Sequence, residues 1–297
     1  MTGPRRSGPH IRPVPGGRVV EQESLQAPVR LGIIGGGAIV QVAHLPVLRK
    51  TRGVKIAALC DVDLSKARAL AQRSGIPSVY DDFEDLLAHE ELDAVLIATP
   101  NHLHESHILA ALSADLDVLV EKPLALSSAS AERVARAADK RQRVVMTGMT
   151  HRYRPDVQAV RSFVQAGELG EITSVRASWH LARPARAQLG WRQKLTQAGG
   201  GAMLDLGLTL LDLGLWLGNN PVPSRVSASL SRPGGDRNVE QSGSAFLVCE
   251  NGAAIFVDVT WRHIGEGERF GAGIRGSKGT AGINPLQVWK EIGRAHV

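Results

Sequence analysis

A lysine that directly follows a short apolar segment is the residue of this chain best placed to do chemistry. Lys122 lies in the string Glu121-Lys122-Pro123, immediately after the apolar run 117–120. In an open parallel sheet, ligands bind beyond the carboxyl ends of the strands, so a lysine at such an end can reach a bound ligand. Pro123 restricts Lys122 to extended backbone geometry and permits a cis peptide bond. A lysine in a surface loop is the alternative, and the motifs that accompany Lys122 favour the functional role.

A glycine-rich turn lies far upstream, between a predicted strand and a predicted helix. Its sequence is Gly35-Gly36-Gly37-Ala38-Ile39. Gly35 permits the tight turn, and Gly37 lets the backbone approach a pyrophosphate at the N-terminus of the helix. This order of strand, glycine turn and helix predicts a dinucleotide site. The binding residues of this site are predicted to be Gly35, Gly37, Ala38 and Ile39.

The residue expected to bind the ribose of the dinucleotide is Asp61, which ends the second predicted strand. It follows Val40 by about 20 residues, the spacing at which a carboxylate accepts from the ribose 2′-hydroxyl and repels a 2′-phosphate. This interpretation favours NAD, although Lys66 and Arg68 on the next helix keep NADP as an alternative. Val40 stands where a third small residue is usual, so we expect it to loosen the contact between helix and strand. The alternative is a turn without a ligand, with Asp61 as a helix cap.

Polar residues follow a further predicted strand at Thr99-Pro100-Asn101, also on the ligand edge of the sheet. We expect them to shape the pocket for the nicotinamide or the pyrophosphate. Three histidines come directly afterwards, but no carboxylate or cysteine at ligand spacing completes a metal site with them. We therefore predict no bound metal and assign these side chains to the start of a helix. The three histidines are His102, His104 and His107.

The elements that position these residues alternate between short apolar runs and longer helical stretches, which is the pattern of a doubly wound parallel sheet. The predicted strands are 29–34, 54–60, 93–98, 117–120 and 143–147, with a weaker strand near Val79. The predicted helices between them are 39–50, 64–73, 83–88, 105–113 and 129–140. Strands that are apolar on both faces belong in a buried parallel sheet.

The second half of the chain has a different pattern. A helix at 156–166, a strand at 172–179 and a glycine-led helix at 202–217 precede runs that alternate apolar and polar residues, at 225–231, 244–250, 253–261 and 269–275. Such alternation predicts an antiparallel sheet with one exposed or partner-facing side. The predicted fold class is α/β: an N-terminal Rossmann doubly wound parallel sheet and a C-terminal α+β domain with an open, largely antiparallel sheet. The predicted boundaries are a disordered leader at 1–28, a nucleotide-binding domain at 29–150 and a second domain at 151–290.

Composition narrows the class of protein further. The chain has 297 residues, 43% of them hydrophobic, and a net charge of +6. Residues 1–30 hold five arginines against two glutamates, so half of the positive charge lies in the leader and gives little support for nucleic-acid binding. We see no signal peptide and no run near the roughly 20 apolar residues of a membrane span. Cys60 and Cys249 fall in apolar runs and predict reduced core residues of a cytoplasmic protein.

Three further strings complete the pattern. They are Gly148-Met149-Thr150-His151-Arg152-Tyr153, Trp191-Arg192, and the glycine-led string from Gly199 to Asp212. In this order, together with the glycine turn and Glu121-Lys122-Pro123, they resemble the Gfo/Idh/MocA family. The family is named for glucose-fructose oxidoreductase, inositol dehydrogenase and a rhizopine-catabolism protein. The resemblance covers the chain from residue 29 to Pro285 or close to it.

The resemblance implies an N-terminal Rossmann domain and a C-terminal domain whose open sheet often forms an oligomer interface. Typical members oxidise an alcohol or reduce a carbonyl on sugars, inositols and related polyols, with NAD or NADP. We therefore expect an NAD(P)-dependent oxidoreductase with a small sugar or polyol substrate, assembled as a homo-oligomer. Lys122 is the expected proton-transfer residue, and it is expected to contact the cofactor together with Glu121.

One departure from the family pattern concerns a helix of the second domain. The usual pattern is an aspartate followed four residues later by a histidine, and the i, i+4 spacing places both on one helix face. Here the pair is Asp205 and Thr209, which we take as the remaining catalytic candidates. Threonine keeps a hydroxyl for the substrate but does not exchange protons at neutral pH as imidazole does. Thr209 therefore leaves two alternatives open: a helix-packing position in an active enzyme, or a dinucleotide-binding sensor without turnover.

The resemblance also suggests substrate contacts. The candidates are Arg152, Tyr153, Trp191 and Arg192. The two arginines are expected to orient hydroxyl groups or to brace loops, because a permanently charged guanidinium donates hydrogen bonds and does not act as a base. Tyr153 and His151 are secondary candidates for proton transfer at the rim of the pocket.

The last seven residues, 291–297, are unusual for a natural C-terminus. The translation of a common sequencing adapter in one frame gives Ile-Gly-Arg-Ala-His-Val and then a stop codon, and this string is residues 292–297. We therefore expect the tail to derive from an adapter and the second domain to be incomplete. Chance similarity is the alternative.

Overall fold

The structure is a computed structural model that describes residues 27–182, 190–232 and 239–291. Most of the predicted leader and the last six residues therefore lie outside the described residues. In the first half of the chain a single sheet is formed by β1 (Val29–Ile34), β2 (Val54–Cys60), β3 (Ser78–Tyr80), β4 (Ala94–Ile97), β5 (Asp117–Val120) and β6 (Val145–Thr147). All pairings are parallel and the strand order is β3-β2-β1-β4-β5-β6, which confirms the predicted doubly wound sheet.

Helices connect these strands close to the predicted positions. They are α1 (Leu45–Leu48), α2 (Leu64–Ser74), α3 (Phe83–His89), α4 (His104–Ser113) and α5 (Ser128–Arg141). The helix predicted at 39–50 differs, because a π-helical turn, Val40–His44, precedes a short α1. Val40 is completely buried in the apolar cluster beneath this turn, so its larger side chain is packed there and the expected loosening does not appear.

The second half of the chain forms a seven-stranded mixed sheet. Its strands are β7 (Ile172–Ala182), β8 (Pro223–Ser231), β9 (Ser242–Cys249), β10 (Ala254–His263), β11 (Arg269–Gly276), β12 (Gly279–Ile283) and β13 (Gln287–Lys290). The order is β13-β12-β11-β7-β10-β9-β8, and only the central pair of β7 and β10 is parallel. The largely antiparallel sheet is thus confirmed, whereas β12 and β13 have no predicted counterpart.

Helices α6 (Pro155–Gln165), α7 (Leu195–Ala198) and α8 (Leu208–Leu217) belong to this second half, and a π-helical turn, Met203–Gly207, leads into α8. The inward-facing residues of β10 are buried under α8, whereas Phe256 and Asp258, on the other face, are more accessible. This alternation leaves one side of the sheet without a covering helix in the described part of the chain.

One helical stretch is long and apolar enough to cross a membrane by length and composition alone, namely Leu195–Leu217. This differs from the sequence-based expectation that no run approaches that length. Half of its most apolar window is buried inside the protein, and its residues Leu210, Leu213 and Leu217 are fully enclosed by the second sheet and α6. The stretch therefore serves as the core helix of the second half.

Candidate active site

A cavity of about 820 Å³ lies between the carboxyl edge of the parallel sheet and the second half of the chain. The ends of β1, β2, β4 and β5 contribute to it, as does the start of the helix that contains Asp205. Most of the predicted site residues line this cavity, and their individual roles stay predictions. They are Gly35, Gly37, Ala38, Ile39, Asp61, Thr99, Pro100, Asn101, Glu121, Lys122, Trp191, Arg192 and Asp205.

The glycine turn has the backbone geometry that a dinucleotide phosphate requires. Gly35 has a φ of +99°, and a Cβ there would lie 2.7 Å from the carbonyl oxygen of Ala98, so this position needs glycine. A Cβ on Gly37 would meet nothing within 4 Å, because this residue faces the open cavity. A helix starts directly after this turn, and the N–H groups of a helix N-terminus lack intrahelical acceptors and can donate to an anion.

Asp61 lies beside this turn and is held by backbone donors. Its Oδ2 accepts from the N–H of Gly36 at 2.7 Å, and its Oδ1 accepts from the N–H of Asp63 at 3.0 Å. The cap of α2 is Asp63, which accepts from the N–H of Lys66 at 3.0 Å, so the alternative of Asp61 as the helix cap is wrong. Asp61 is thereby left to face the cavity.

Two more carboxylates, Asp81 and Asp82, line the cavity near Asp61, and Lys66 is the cation among them. With three carboxylates and one ammonium group in its lining, this part of the cavity is unfavourable for a 2′-phosphate, because like charges repel. The site therefore fits the two ribose hydroxyls of NAD better than the 2′-phosphate of NADP.

Lys122 and Asp205 meet across the two halves of the chain. Lys122 Nζ donates to Asp205 Oδ1 and to the backbone carbonyl oxygen of Asp205, both at 2.6 Å. The other carboxylate oxygen, Oδ2, accepts from Trp261 Nε1 at 3.1 Å. The Lys122–Pro123 peptide bond is cis, as Pro123 permits. The predicted pair is thus formed, with an indole that the sequence analysis did not identify.

The backbone ahead of Asp205 is fixed by a buried carboxylate, Glu240. Its Oε1 accepts from the N–H groups of Gly201 and Met203, at 2.8 and 3.0 Å. Because a Cβ on Gly201 would lie 1.9 Å from the carbonyl oxygen of Glu240, only glycine fits at this contact. The glycine-led string therefore lets the segment before β9, which holds Glu240, lie against the start of the helix that presents Asp205.

The neighbour of Lys122 is also held in place. Glu121 Oε1 lies 2.7 Å from His44 Nε2, on the π-helical turn that follows the glycine turn. Burial by itself would raise the pKa of Glu121, but the hydrogen bond from His44 and the charges of His44 and Lys122 outweigh it and lower the pKa. His44 therefore connects the cofactor turn to the strand end that bears Lys122. Nothing in the sequence beyond its helical position indicated this contact.

The loop after β4 connects several parts of the site. Asn101 Nδ2 donates to the carbonyl oxygen of Ala198 at 2.8 Å and so joins the two halves of the chain. The ring nitrogens of the buried His104 lie 2.7 and 2.9 Å from the carbonyl oxygens of Pro123 and Thr99. These contacts tie the loop after β4 to the loop that follows Lys122.

The next histidine along the helix, His107, lies 3.1 Å from Thr99 Oγ1 through its Nδ1. Burial, with a smaller effect of the neighbouring histidines, lowers its pKa to about 4. In the described ranges no group of three or more His, Cys, Asp or Glu side chains is arranged to hold a metal ion. Each buried histidine has a contact within the protein that accounts for its position.

Three of the predicted residues do not line the cavity. Thr209 is buried at 4% exposure in α8, and Tyr153 is 64% exposed. Arg152 donates through Nε to Asp212 Oδ2 at 2.8 Å, makes a second bond through Nη2 to Oδ1, and stacks on Trp216. These contacts place Arg152 as a brace within the second half. Roles of all three in catalysis or substrate binding stay predictions.

Comparison with known proteins matches both halves of the chain to domain models of one family. Residues 29–149 match the model of the oxidoreductase family with an NAD-binding Rossmann fold, and residues 157–282 match that of the GFO/IDH/MocA C-terminal domain. D-glucoside 3-dehydrogenase of Escherichia coli (strain K12) is 33% identical over 73% of this chain, and the chain spans 62% of that enzyme's length.

The match with this chain covers a larger share of two other relatives. The enzyme dTDP-3,4-didehydro-2,6-dideoxy-alpha-D-glucose 3-reductase of Actinomadura kijaniata is 30% identical, over 80% of this chain and 69% of its own. The structure of GenD2 from gentamicin A biosynthesis in complex with NAD is 29% identical and superimposes with a TM-score of 0.82. That match covers 90% of this chain and 75% of GenD2. The chain therefore belongs to the Gfo/Idh/MocA family of oxidoreductases, with an NAD-binding Rossmann fold.

Proposed function

We propose that this protein is an NAD-dependent oxidoreductase that transfers a hydride between nicotinamide and a sugar, an inositol or a related polyol, or the corresponding carbonyl compound. The observation that carries the proposal is the Lys122–Asp205 pair in the same cavity as the glycine turn and Asp61. A proton-transfer group and a dinucleotide cradle in one cavity are what alcohol oxidation requires. The relatives described above include a glucoside dehydrogenase and a sugar-nucleotide reductase, which supports the substrate class.

The chemistry divides between cofactor and protein. NAD bound in the cavity supplies the hydride acceptor, and its reduced form supplies the donor. Lys122 Nζ takes the hydroxyl proton during oxidation and returns a proton to the carbonyl oxygen during reduction. Two donors of the ammonium group are engaged by Asp205, so the third remains to contact a substrate oxygen. Asp205 thus fixes the direction of the transferred proton.

The residues that hold the cofactor follow from the cavity. Gly35 and Gly37 would admit the pyrophosphate, Asp61 would accept from the ribose, and the loop at Thr99 and Asn101 would border the nicotinamide or the pyrophosphate. We expect Asp61→Ala to weaken the binding of NAD more than that of NADP, measured by titration calorimetry. An unchanged preference between the two cofactors would contradict the role of Asp61.

The substrate is proposed to contact Trp191 and Arg192, which line the cavity and stack on each other with the guanidinium carbon 4.5 Å from the ring centre. Stacking keeps the planar donor group of Arg192 at a fixed height above the indole. This arrangement suits hydrogen bonds to the hydroxyls of a sugar, and the apolar face of Trp191 suits its C–H groups.

A second candidate function is a dinucleotide-binding sensor without turnover. It is favoured by Thr209, which provides no imidazole and lies outside the cavity. Against it, the lysine and the aspartate of the site are both present and in contact. The two functions differ in whether the reduced cofactor accumulates when substrates are supplied.

The deciding experiment is a screen of the protein with NAD and NADP against a panel of sugars and polyols, following the absorbance of the reduced cofactor. We expect Lys122→Met to lower kcat by about 10²- to 10⁴-fold while NAD still binds, because the proton-transfer group is removed but the glycine turn and Asp61 are unchanged. The matched control is Lys140→Met, on the exposed surface of α5, which should keep the wild-type rate. Cofactor binding without turnover across the panel would favour the sensor.

We further propose that two copies associate through the uncovered face of the second sheet, in the cytoplasm. A groove of about 640 Å³ runs along this face, where the rings of Phe246 and Phe256 pack 4.6 Å apart and Arg176 stacks on Phe256 at 4.2 Å. Two buried free cysteines support a reducing compartment.

We expect Phe256→Glu to lower the mass measured by light scattering, whereas Val144→Glu, at an exposed site of the first half, should not. A wild-type protein that is already monomeric would contradict this assembly.

A further inference from the structure

We propose that Trp261 is a positioning residue for the Lys122–Asp205 pair. We also propose that proton transfer does not continue beyond Asp205, because Trp261 cannot accept a proton. The inference rests on the proposed oxidoreductase function. It adds Trp261, from the second sheet, to Lys122 at the end of β5 and Asp205 in the π-helical turn before α8. Its basis is that the two carboxylate oxygens of Asp205 accept hydrogen bonds from different elements of the fold, Oδ1 from Lys122 and Oδ2 from Trp261.

The position of Trp261 follows from the alternation of β10. Ile255, Val257 and Val259 face the helix side of the sheet and are buried, and Trp261 continues the same face with 2% exposure. Its ring reaches the lining of the cavity, and its backbone N–H donates to the carbonyl oxygen of Gln241 at 2.9 Å. The indole is therefore held by the sheet, independently of the helix that presents Asp205.

The indole N–H of a buried tryptophan needs an acceptor, and here that acceptor is Asp205 Oδ2 at 3.1 Å. Lys122 takes Oδ1 at 2.6 Å. With one oxygen bound by each neighbour, the carboxylate cannot rotate about its last bond without losing a hydrogen bond. The carboxylate is thereby fixed in the plane that keeps Lys122 Nζ directed into the cavity.

The chemical consequence comes from the nature of the indole. Its N–H donates but cannot accept, so a proton cannot pass from Lys122 through Asp205 to Trp261. Thr209, which lies outside the cavity lining, offers no titratable group there either. The other titratable groups around the pair are Glu121, which is engaged by His44, and His151, whose pKa is lowered by burial and by the charges of Arg154 and Lys122. Lys122 is therefore expected to exchange its proton directly with the substrate oxygen and with water in the cavity.

The hydrogen bond can be tested without a substrate. In a ¹H–¹⁵N spectrum of the full chain with NAD, the indole resonance of Trp261, assigned through the backbone, should lie downfield. It should move upfield in Asp205→Ala, where the acceptor is absent. A Trp261 indole resonance that ignores Asp205→Ala would overturn the proposal. This arm stands even if no substrate turns over, so its failure is distinguishable from failure of the proposed function.

Kinetics test the consequence for catalysis. Trp261→Phe keeps a six-membered aromatic ring but removes the indole N–H, and it is expected to lower kcat by about 10- to 100-fold, because a hydrogen bond to a charged group is lost. The KM for NAD should stay unchanged, and the pH profile of kcat should shift, which a purely structural role would not produce. Trp289→Phe, at an exposed tryptophan of β13, is the control and should match wild type. A wild-type kcat and pH profile in Trp261→Phe would contradict the proposal, and if that variant does not fold, the indole resonance decides.

Discussion

Two carboxylates of the second domain, Asp205 and Asp212, each hold a cation, but they do so in different surroundings. Asp205 binds Lys122 of the first half at 2.6 Å and lines the cavity. Asp212 lies about two helical turns further along and binds Arg152, whose guanidinium also stacks on Trp216 at 4.7 Å, away from the cavity lining. One helical segment thus supplies the carboxylate of an ion pair between the two domains, Asp205 with Lys122, and of an ion pair within the second domain, Asp212 with Arg152.

The comparison shows how the type of cation and the access to the carboxylate separate chemistry from bracing. The side chain of Asp205 is 31% exposed and that of Asp212 is 14% exposed, so the carboxylate at the cavity is the more open to a substrate, whereas of the two cations Lys122, at 23%, is less exposed than Arg152, at 36%. An ammonium group can exchange a proton, whereas a guanidinium stays charged and binds a carboxylate through two parallel bonds. Lys122 is therefore suited to proton transfer, and Arg152 to holding the loop before α6 against α8.

The largest expected effect separates the two carboxylates by activity. Asp205→Asn removes the charge that aligns Lys122, and we expect kcat to fall by about 10²- to 10³-fold with little loss of stability. Asp212→Asn should leave kcat unchanged and lower the free energy of unfolding by about 1–2 kcal/mol, because the guanidinium of Arg152, whose side chain is 36% exposed, loses its charged partner. Steady-state kinetics and urea unfolding of both variants measure this reciprocal pattern.

The same two variants can break the comparison. A rise of the substrate KM in Asp212→Asn, with stability unchanged, would mean that Arg152 contacts the substrate as the sequence predicted. In that case both pairs would belong to the site, and the distinction between them would be wrong.

The second-largest effect is a change of about 3 kcal/mol in the free energy of unfolding with pH, and it comes from a buried side chain, His107. The pKa of His107 is lowered to about 4 in the folded protein, against 6.5 for an unburied histidine. As pH falls below 6.5 the unfolded chain binds a proton that the folded one does not, so stability is full above that pH and declines until about pH 4. His107→Leu should flatten the decline of unfolding free energy over this window.

The control for His107 is His89→Gln, at an exposed position near the end of α3. This variant should keep the wild-type slope of stability against pH. A slope in His107→Leu equal to that of wild type would show that the loss of stability in acid comes from groups other than His107.

The residues whose location at the cavity could be predicted from the sequence are those whose motifs are local, although their individual roles stay predictions. A strand, a glycine turn and a carboxylate about 20 residues later define the dinucleotide cradle within one continuous segment, so Gly35, Gly37 and Asp61 follow from the sequence. Lys122 follows for the same reason, since a strand end fixes its location. The parallel sheet could also be predicted from the sequence, because its strands are apolar on both faces.

The residues that escaped prediction depend on contacts between distant segments. Trp261 meets Asp205 across 56 positions, and Glu240 meets Gly201 across 39. The phase of β10 did place Trp261 on the buried face, and the need of its N–H for an acceptor was the available signal. Strands β12 and β13 are short, and β12 contains two glycines, so they lack the alternation that marks the other strands.

The smallest expected effect tests whether charge alone accounts for the brace. Arg152→Lys keeps the positive charge but loses the two-bond fork to Asp212 and the flat stack on Trp216. We expect the free energy of unfolding to fall by about 1 kcal/mol, measured by urea unfolding. The converse exchange, Lys122→Arg, should keep stability yet lose turnover, because a guanidinium does not release a proton at neutral pH. Equal stability of Arg152→Lys and wild type would mean that the ion pair, rather than the fork and the stack, holds the loop to α8.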